Sequence, residues 1–187
     1  PDALLGLRKA RAASALMLAL PGSAYLYQGE ELGLPEVIDI PDDRRQDPTF
    51  FRTHGERYGR DGCRVPIPWE AGAPAYGFNT TGESWLPQPP AFAELARDNQ
   101  VGDPDSTLEL YRSLLRFRSQ EGLGKGSLVW LDGFSSDVVA FRNGSVSVVS
   151  NTGEHPVPMP AGKVIITTTP LDGQVVPAHT TVWIKTG

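Results

Sequence analysis

The stretch Leu20-Pro21-Gly22-Ser23-Ala24-Tyr25-Leu26-Tyr27-Gln28-Gly29-Glu30-Glu31-Leu32-Gly33, LPGSAYLYQGEELG, decides the fold class. Before it, residues 3–20 are dominated by alanine, leucine and arginine, all good helix formers. The second half of that segment is apolar on every side, as in a helix packed against a large core. Pro21-Gly22 stops the helix. Ser23–Gln28 then reads as a short buried strand. Helix, tight turn and apolar strand form the αβ half of an α/β repeat, which needs parallel neighbours. No earlier strand in the chain can supply one. The charged start Leu7-Arg8-Lys9-Ala10-Arg11, the apolar run Ala15–Leu20 and small residues after it mimic a signal peptide. The run is short, the chain begins with Pro1, and a buried helix fits its length better.

Composition narrows the function classes. A chain of 187 residues can bury a real core, and its 40% apolar and 21% charged residues are ordinary for a globular protein. A formal charge of −5 argues against nucleic acid as a partner. One cysteine permits no internal disulfide and fits a cytoplasmic location. Without C-x-x-C or clustered histidines, no zinc site is expected; no cofactor is expected, and a calcium requirement stays open.

Residues 33–103 form a long region rich in Pro, Gly, Asp and Arg, whose specific turn chemistry predicts an ordered loop. Ser106 and Glu109 mark a capping box that opens a second helix, ended by Gly122. Leu110, Leu114 and Phe117 share one face, flanked by Leu108 and Leu115. Arg112, Arg116 and Arg118 lie late in that helix, where they suit its dipole. From Gly126 the period falls to two. Residues 127–131, 138–142, 145–149, 164–168 and 181–185 read as strands, with Asn143-Gly144 as a two-residue hairpin turn. The expected division is residues 1–122, holding the long loop, and a small antiparallel β domain over 126–187.

Four stretches in order resemble the α-amylase superfamily of glycoside hydrolases, in particular its exo-acting α-glucosidase and oligo-1,6-glucosidase group. Leu20–Gly33 is similar to the family's eighth barrel strand with its Q-G-E-E-x-G end. Ile40–Pro48, IPDDRRQDP, looks like the loop that follows. Arg60–Trp69, RDGCRVPIPW, resembles R-D-x-x-R-x-P-M-x-W, and Leu110–Arg118 resembles the last barrel helix. The resemblance implies an α/β chain: the C-terminal portion of a (β/α)8 TIM barrel (seventh helix, eighth strand, long eighth loop, eighth helix), then an antiparallel β-sandwich. Active sites of such barrels lie at the C-terminal ends of the strands. It implies a retaining α-glucosidase of carbohydrate metabolism, acting on terminal α-linked glucose of short oligosaccharides, with the missing N-terminal part of the barrel as partner and no membrane involved. The family's catalytic carboxylates sit on earlier strands. No N-H-D or G-F-R-x-D motif occurs here, so no catalytic residue is assigned and the chain alone is expected to be inactive. The second arginine of R-D-x-x-R, Arg64, is implied to reach the bound glucose. A trehalose synthase or sucrose isomerase shares this barrel end. A non-catalytic carbohydrate-binding module is the other class, and would need Trp130 and Trp183 exposed side by side.

Other candidates have plainer readings. Glu30 and Glu31, adjacent on a strand, point to opposite faces and are expected to satisfy backbone or arginines. Asp39, Asp42, Asp43, Arg44, Arg45 and Asp47 read as a salt-bridged surface run rather than a metal site. Cys63 reads as a packed, inert thiol. Trp69, Tyr76, Phe78 and Trp85 read as the loop's own core, and Trp130 and Trp183 as core of the β domain.

Overall fold

The computed structural model describes residues 2–186, which fall into two compact units: one of residues up to Tyr25 together with Leu110 onward, the other of Leu26–Glu109. The first unit is built around a five-stranded antiparallel sheet. Its strands are β1 (Leu128–Trp130), β2 (Val138–Asn143), β3 (Val146–Asn151), β5 (Lys163–Thr167) and β7 (Thr180–Lys185), in the order β1-β2-β3-β7-β5. The two-residue strands β4 (Val157–Pro158) and β6 (Val175–Val176) pair as a separate antiparallel ribbon. Neither was visible as a period-two run, because each is only one pleat long.

Alternation along the strands gives the sheet two buried faces. On one, Ala140, Val149, Val182 and Ile184 pack with Val176 of the ribbon. On the other, Phe141, Val148, Ile166 and Trp183 pack with helix residues. The helices are α1 (Ala3–Ala19) and the part of α4 (Thr107–Gln120) from Leu110 on. Asp2 caps α1 by accepting from the Leu5 amide at 3.0 Å. Its inner stripe, Ala12, Ala15, Leu18 and Ala19, is fully or almost fully buried. Three of those four are alanines, so the helix backbone comes close enough to the sheet for side chains to reach its carbonyls. Trp183 Nε1 donates to Ala15 O at 3.1 Å, and Thr181 Oγ1 to Ala12 O at 2.8 Å. From α4, Leu110, Tyr111 and Leu114 are buried, whereas Leu115 is 43% exposed.

Arg118 lies in the last turn of α4, yet its donors serve α1. Nη1 donates to Leu18 O and Leu20 O, and Nη2 to Gly22 O, each at 2.6 Å. These include carbonyls that the end of α1 leaves without helical partners. Arg118 thus lies in the last turn of its own helix, as expected, and also caps another.

Three expectations are corrected. Ser23–Gln28 forms no strand: the segment has no ladder partner among the described residues, and Tyr25 is 85% exposed. A ladder needs a neighbour, and an apolar sequence cannot make one alone. The hairpin turn is shifted by one residue. Asn143 pairs with Val146, so the loop is Gly144-Ser145, and Gly144 alone takes a positive φ of 60°, as a Gly-first turn requires. Asn143 is instead a buried strand residue donating to Ala19 O and Leu123 O at 2.8 and 3.0 Å. Trp130 is not core. It is 66% exposed on edge strand β1, edge-on to Phe141, while Trp183 is fully buried.

The second unit has little regular structure beyond α2 (Pro48–Arg52) and α3 (Arg97–Gln100). Its core is Ile40, Val65 and Phe92, with Leu34, Val37, Tyr76 and Leu86 against it. So small a core leaves polar staples to hold the rest. Buried Gln100 donates to Leu32 O and Leu95 O, both at 2.9 Å, and accepts from the Leu108 amide at 3.1 Å. No helix among the described residues is long and apolar enough to cross a membrane.

Candidate functional site

The segment Gly59–Trp69 is built around two carboxylates. Asp61, 2% exposed, accepts from the amides of Gln46 and Asp47, both at 2.9 Å. This pins the short 3-10 turn Asp61–Cys63 to the chain that enters α2. Asp47, 6% exposed, is the N-cap of α2, with Pro48 at the first helical position. One of its oxygens accepts from Thr49 N at 2.9 Å. The other accepts from Arg60 N at 3.1 Å and Arg64 Nη1 at 3.3 Å. The Thr49 amide and hydroxyl, followed by the Arg60 amide and the Arg64 charge, outweigh desolvation and lower the Asp47 pKa to about 2.

Two glycines make this closeness possible. Gly59 has φ +75°, and a Cβ there would lie 2.5 Å from the carboxyl carbon of Asp47. A Cβ on Gly62 would collide with the carbonyl of Val37, whose own amide donates to Gly62 O at 3.1 Å. Beyond Arg64, Val65 is buried in the small core, and its carbonyl accepts from Gln28 Nε2 at 3.4 Å. Gln88 Nε2 and the Arg97 amide bond the carbonyls of Pro66 and Pro68, both at 3.0 Å.

Arg64 therefore sits on a fixed backbone. Its guanidinium pairs with Asp47 at 3.3 Å and Asp61 at 3.7 Å, with 45% of the side chain exposed. Desolvation opposes its charge, but the hydrogen bond to the Tyr27 hydroxyl and the two carboxylates raise its pKa further. A guanidinium has five donors and no acceptor. Asp47 and Asp61 both engage Nη1, so the guanidinium has further donors for neutral oxygens. A cleft of about 260 Å³ lies in the same unit, lined by Tyr27, Glu30, Glu36, Cys63 and Phe92 among others.

The remaining candidates separate. Glu31 accepts from the Gly29 amide at 2.9 Å, a local turn contact, and Glu30 is exposed at the cleft. The Cys63 thiol donates to Arg60 O at 3.1 Å and is only partly buried. Trp69, Phe78 and Trp85 are 46%, 50% and 53% exposed, so they are not the loop's core; of the four aromatics only Tyr76 packs there. Among the described residues, no group of three or more His, Cys, Asp and Glu could hold a metal ion.

The charge run does not all lie on the surface. Arg45 is 5% exposed, stacked 4.4 Å from the Tyr58 ring centroid and 5.3 Å from that of Phe50, and it donates to Ile38 O at 2.8 Å. Arg44 stays outside with Asp43, over the Trp85 ring. From sequence Arg45 and Asp47 read only as members of a surface charge run, and Tyr27 carried no reading as a site residue. For Asp47 a signal existed: Asp followed by Pro is a helix-start signature.

Residues 2–126 match the family model described as alpha amylase, catalytic domain. Over 125 residues, 66% of this chain, it is 38% identical to a probable alpha-glucosidase of Rhizobium meliloti, spanning 22% of that protein. Over 168 residues, 83% of this chain, it is 30% identical to a salivary alpha-glucosidase of Anopheles gambiae, spanning 27% of it. The chain thus spans about a quarter of the length of the curated relatives it matches. Among solved structures, an alpha-glucosyl transfer enzyme, XgtA, is similar with a TM-score of 0.75 at 32% identity, covering 94% of this chain and 35% of that one. A trehalulose synthase, MutB, is similar with a TM-score of 0.76 at 25% identity, covering 95% and 38%.

Proposed function

The chain belongs to the α-amylase family, and from that premise we propose that it is the C-terminal part of a retaining α-glucosidase. Residues 1–122 then belong to the (β/α)8 catalytic barrel, with 33–103 as its eighth active-site loop, and 126–187 to a β-sandwich behind it. The parent enzyme removes terminal α-linked glucose from short oligosaccharides in the cytoplasm. Retention of configuration proceeds through a covalent glycosyl-enzyme formed by one carboxyl group and assisted by a second. In this proposal both come from the N-terminal part of the barrel, and the chain alone turns over no substrate.

Arg64 is the contribution of this chain to the site. The observation that carries its role is a half-exposed guanidinium whose Nη1 is anchored by Asp47 and Asp61. A planar fork fixed in this way can grip two neighbouring hydroxyls of a glucose at set geometry. In the full-length enzyme, Arg64→Lys keeps the charge and loses the fork. A charge-assisted hydrogen bond lost at the site lowers kcat/KM by roughly ten- to a hundredfold with the fold intact. Near-normal kinetics in a folded Arg64→Lys enzyme would refute the role.

The likeness to a trehalulose synthase and a glucosyl transfer enzyme supports a second reading, in which the glycosyl-enzyme passes glucose to a sugar instead of water. Feeding sucrose to the full-length enzyme separates the two: free glucose and fructose for hydrolysis, a rearranged disaccharide for transfer. A carbohydrate-binding module is not favoured, because Trp183 is buried and Trp130 stands without it on the surface.

A further inference from the structure

We propose that Asp47 is the positioning residue for Arg64, tying the direction of its guanidinium to the start of α2. Three groups meet on one carboxyl group: Thr49 N of the first turn of α2, and, from the segment thirteen to seventeen residues on, Arg60 N and Arg64 Nη1. Because the group is 6% exposed, water cannot substitute for these partners freely. Because Gly59 lies against it, it has no room to rotate away. Asp61 adds charge at 3.7 Å but spends its second oxygen on the amides of Gln46 and Asp47. Asp47 is thus the nearer anchor, and Asp61 holds Asp47's own backbone in place. That the aimed guanidinium meets a sugar rests on the α-glucosidase proposal; the tether itself does not.

Asp47→Asn isolates the tether. Asparagine caps a helix about as well as aspartate, so α2 keeps its start, while Arg64 loses the nearer of its two anionic partners and the Arg60 amide loses its acceptor. The first readout is the Arg64 guanidinium in 15N-resolved NMR spectra of this chain, assigned by its disappearance in Arg64→Lys. The tether predicts separate, slowly exchanging Nη signals in the unmodified protein and averaged ones in Asp47→Asn, with Asp43→Asn unchanged as control. Averaged signals in the unmodified protein would overturn the proposal without any variant. The second readout is kinetic, in the full-length enzyme. Asp47→Asn is expected to lower kcat/KM about fivefold to tenfold. Asp47→Asn combined with Arg64→Lys should fall no further than Arg64→Lys alone, because the two act as one unit. Additive losses would show that Asp47 acts independently and overturn the proposal. If Arg64 loosens in Asp47→Asn while Arg64→Lys itself has normal kinetics, the tether stands and the sugar contact falls.

Discussion

Thr181→Val tests how α1 is fastened to the sheet. Thr181 is fully buried, and its hydroxyl contacts Ala12 O of α1 at 2.8 Å and Ser150 Oγ of β3 at 2.7 Å. One hydroxyl carries one proton. If Thr181 donates to the helix carbonyl, Ser150 donates to Thr181. Valine keeps the shape and removes both links. The direct loss is about 1 kcal/mol for the bond to Ala12, whose carbonyl can still accept within the helix. A second loss arises at Ser150, 2% exposed, whose hydroxyl loses this partner at a cost of about 1–2 kcal/mol. Thr181→Val should therefore destabilise by about 2–3 kcal/mol in urea unfolding. Ser150→Ala added to it should recover about 1 kcal/mol, since no orphaned hydroxyl remains. Amides of α1 should lose hydrogen-exchange protection in Thr181→Val. A neutral Thr181→Val, or a double variant worse than the sum of the singles, would refute this account of the helix–sheet contact.

Three other outcomes follow from the same geometry. Asp47 should titrate near 2 by carboxyl 13C NMR. With a folded pKa below the unfolded value, its ionisation stabilises the fold above about pH 4. That contribution is lost as the pH falls toward 2, and a midpoint near 4 would contradict the contacts. Arg118→Leu removes three donors from the end of α1 and should cost about 1.5–3 kcal/mol, with exchange at the last turn of α1 rising first; a change confined to α4 would refute the cross-helix cap. Gly59→Ala combines a left-handed backbone with a Cβ against Asp47 and should cost about 2–4 kcal/mol, read as faster exchange of the Arg60 amide, whereas an unchanged Tm and exchange rate would show the turn to be slack.

Local signals in the sequence carried most of the regular elements. Ser106 does accept from the Glu109 amide at 3.1 Å, although Glu109 sends its carboxylate to Gly102 N rather than closing the reciprocal box. The five longer strands stand within about two residues of where period-two alternation put them. What alternation cannot carry is the identity of the partner. The alanines of α1 read as helix formers, and nothing local says that Trp183 will bond between them. Ser23–Gln28 has a strand's composition but no ladder partner among the described residues. In the site, RDGCR was legible as an ordered loop, with Arg64 as its candidate contact residue. Asp47 was not, because its partners at 60 and 64 lie beyond any local pattern. Arg45 looks identical in sequence to Arg44, and only the rings of Phe50 and Tyr58 decide which one is enclosed.

The fastening of α1 to β7 has a consequence for synthesis. Ala12 and Thr181 are 169 positions apart. At translation rates of about 5–20 residues per second, α1 leaves the ribosome roughly ten to thirty seconds before its anchoring strand exists. Until then α1 lacks Thr181 and Trp183 on its apolar stripe, although α4 with Arg118 and the strands β2 and β3 emerge earlier and cover part of it. Newly made chains should therefore engage hydrophobic-binding chaperones early, through α1, and let go only when the last strand has been added. Ribosome-bound chains stalled before Thr180 should hold such chaperones, whereas chains released after Lys185 should not.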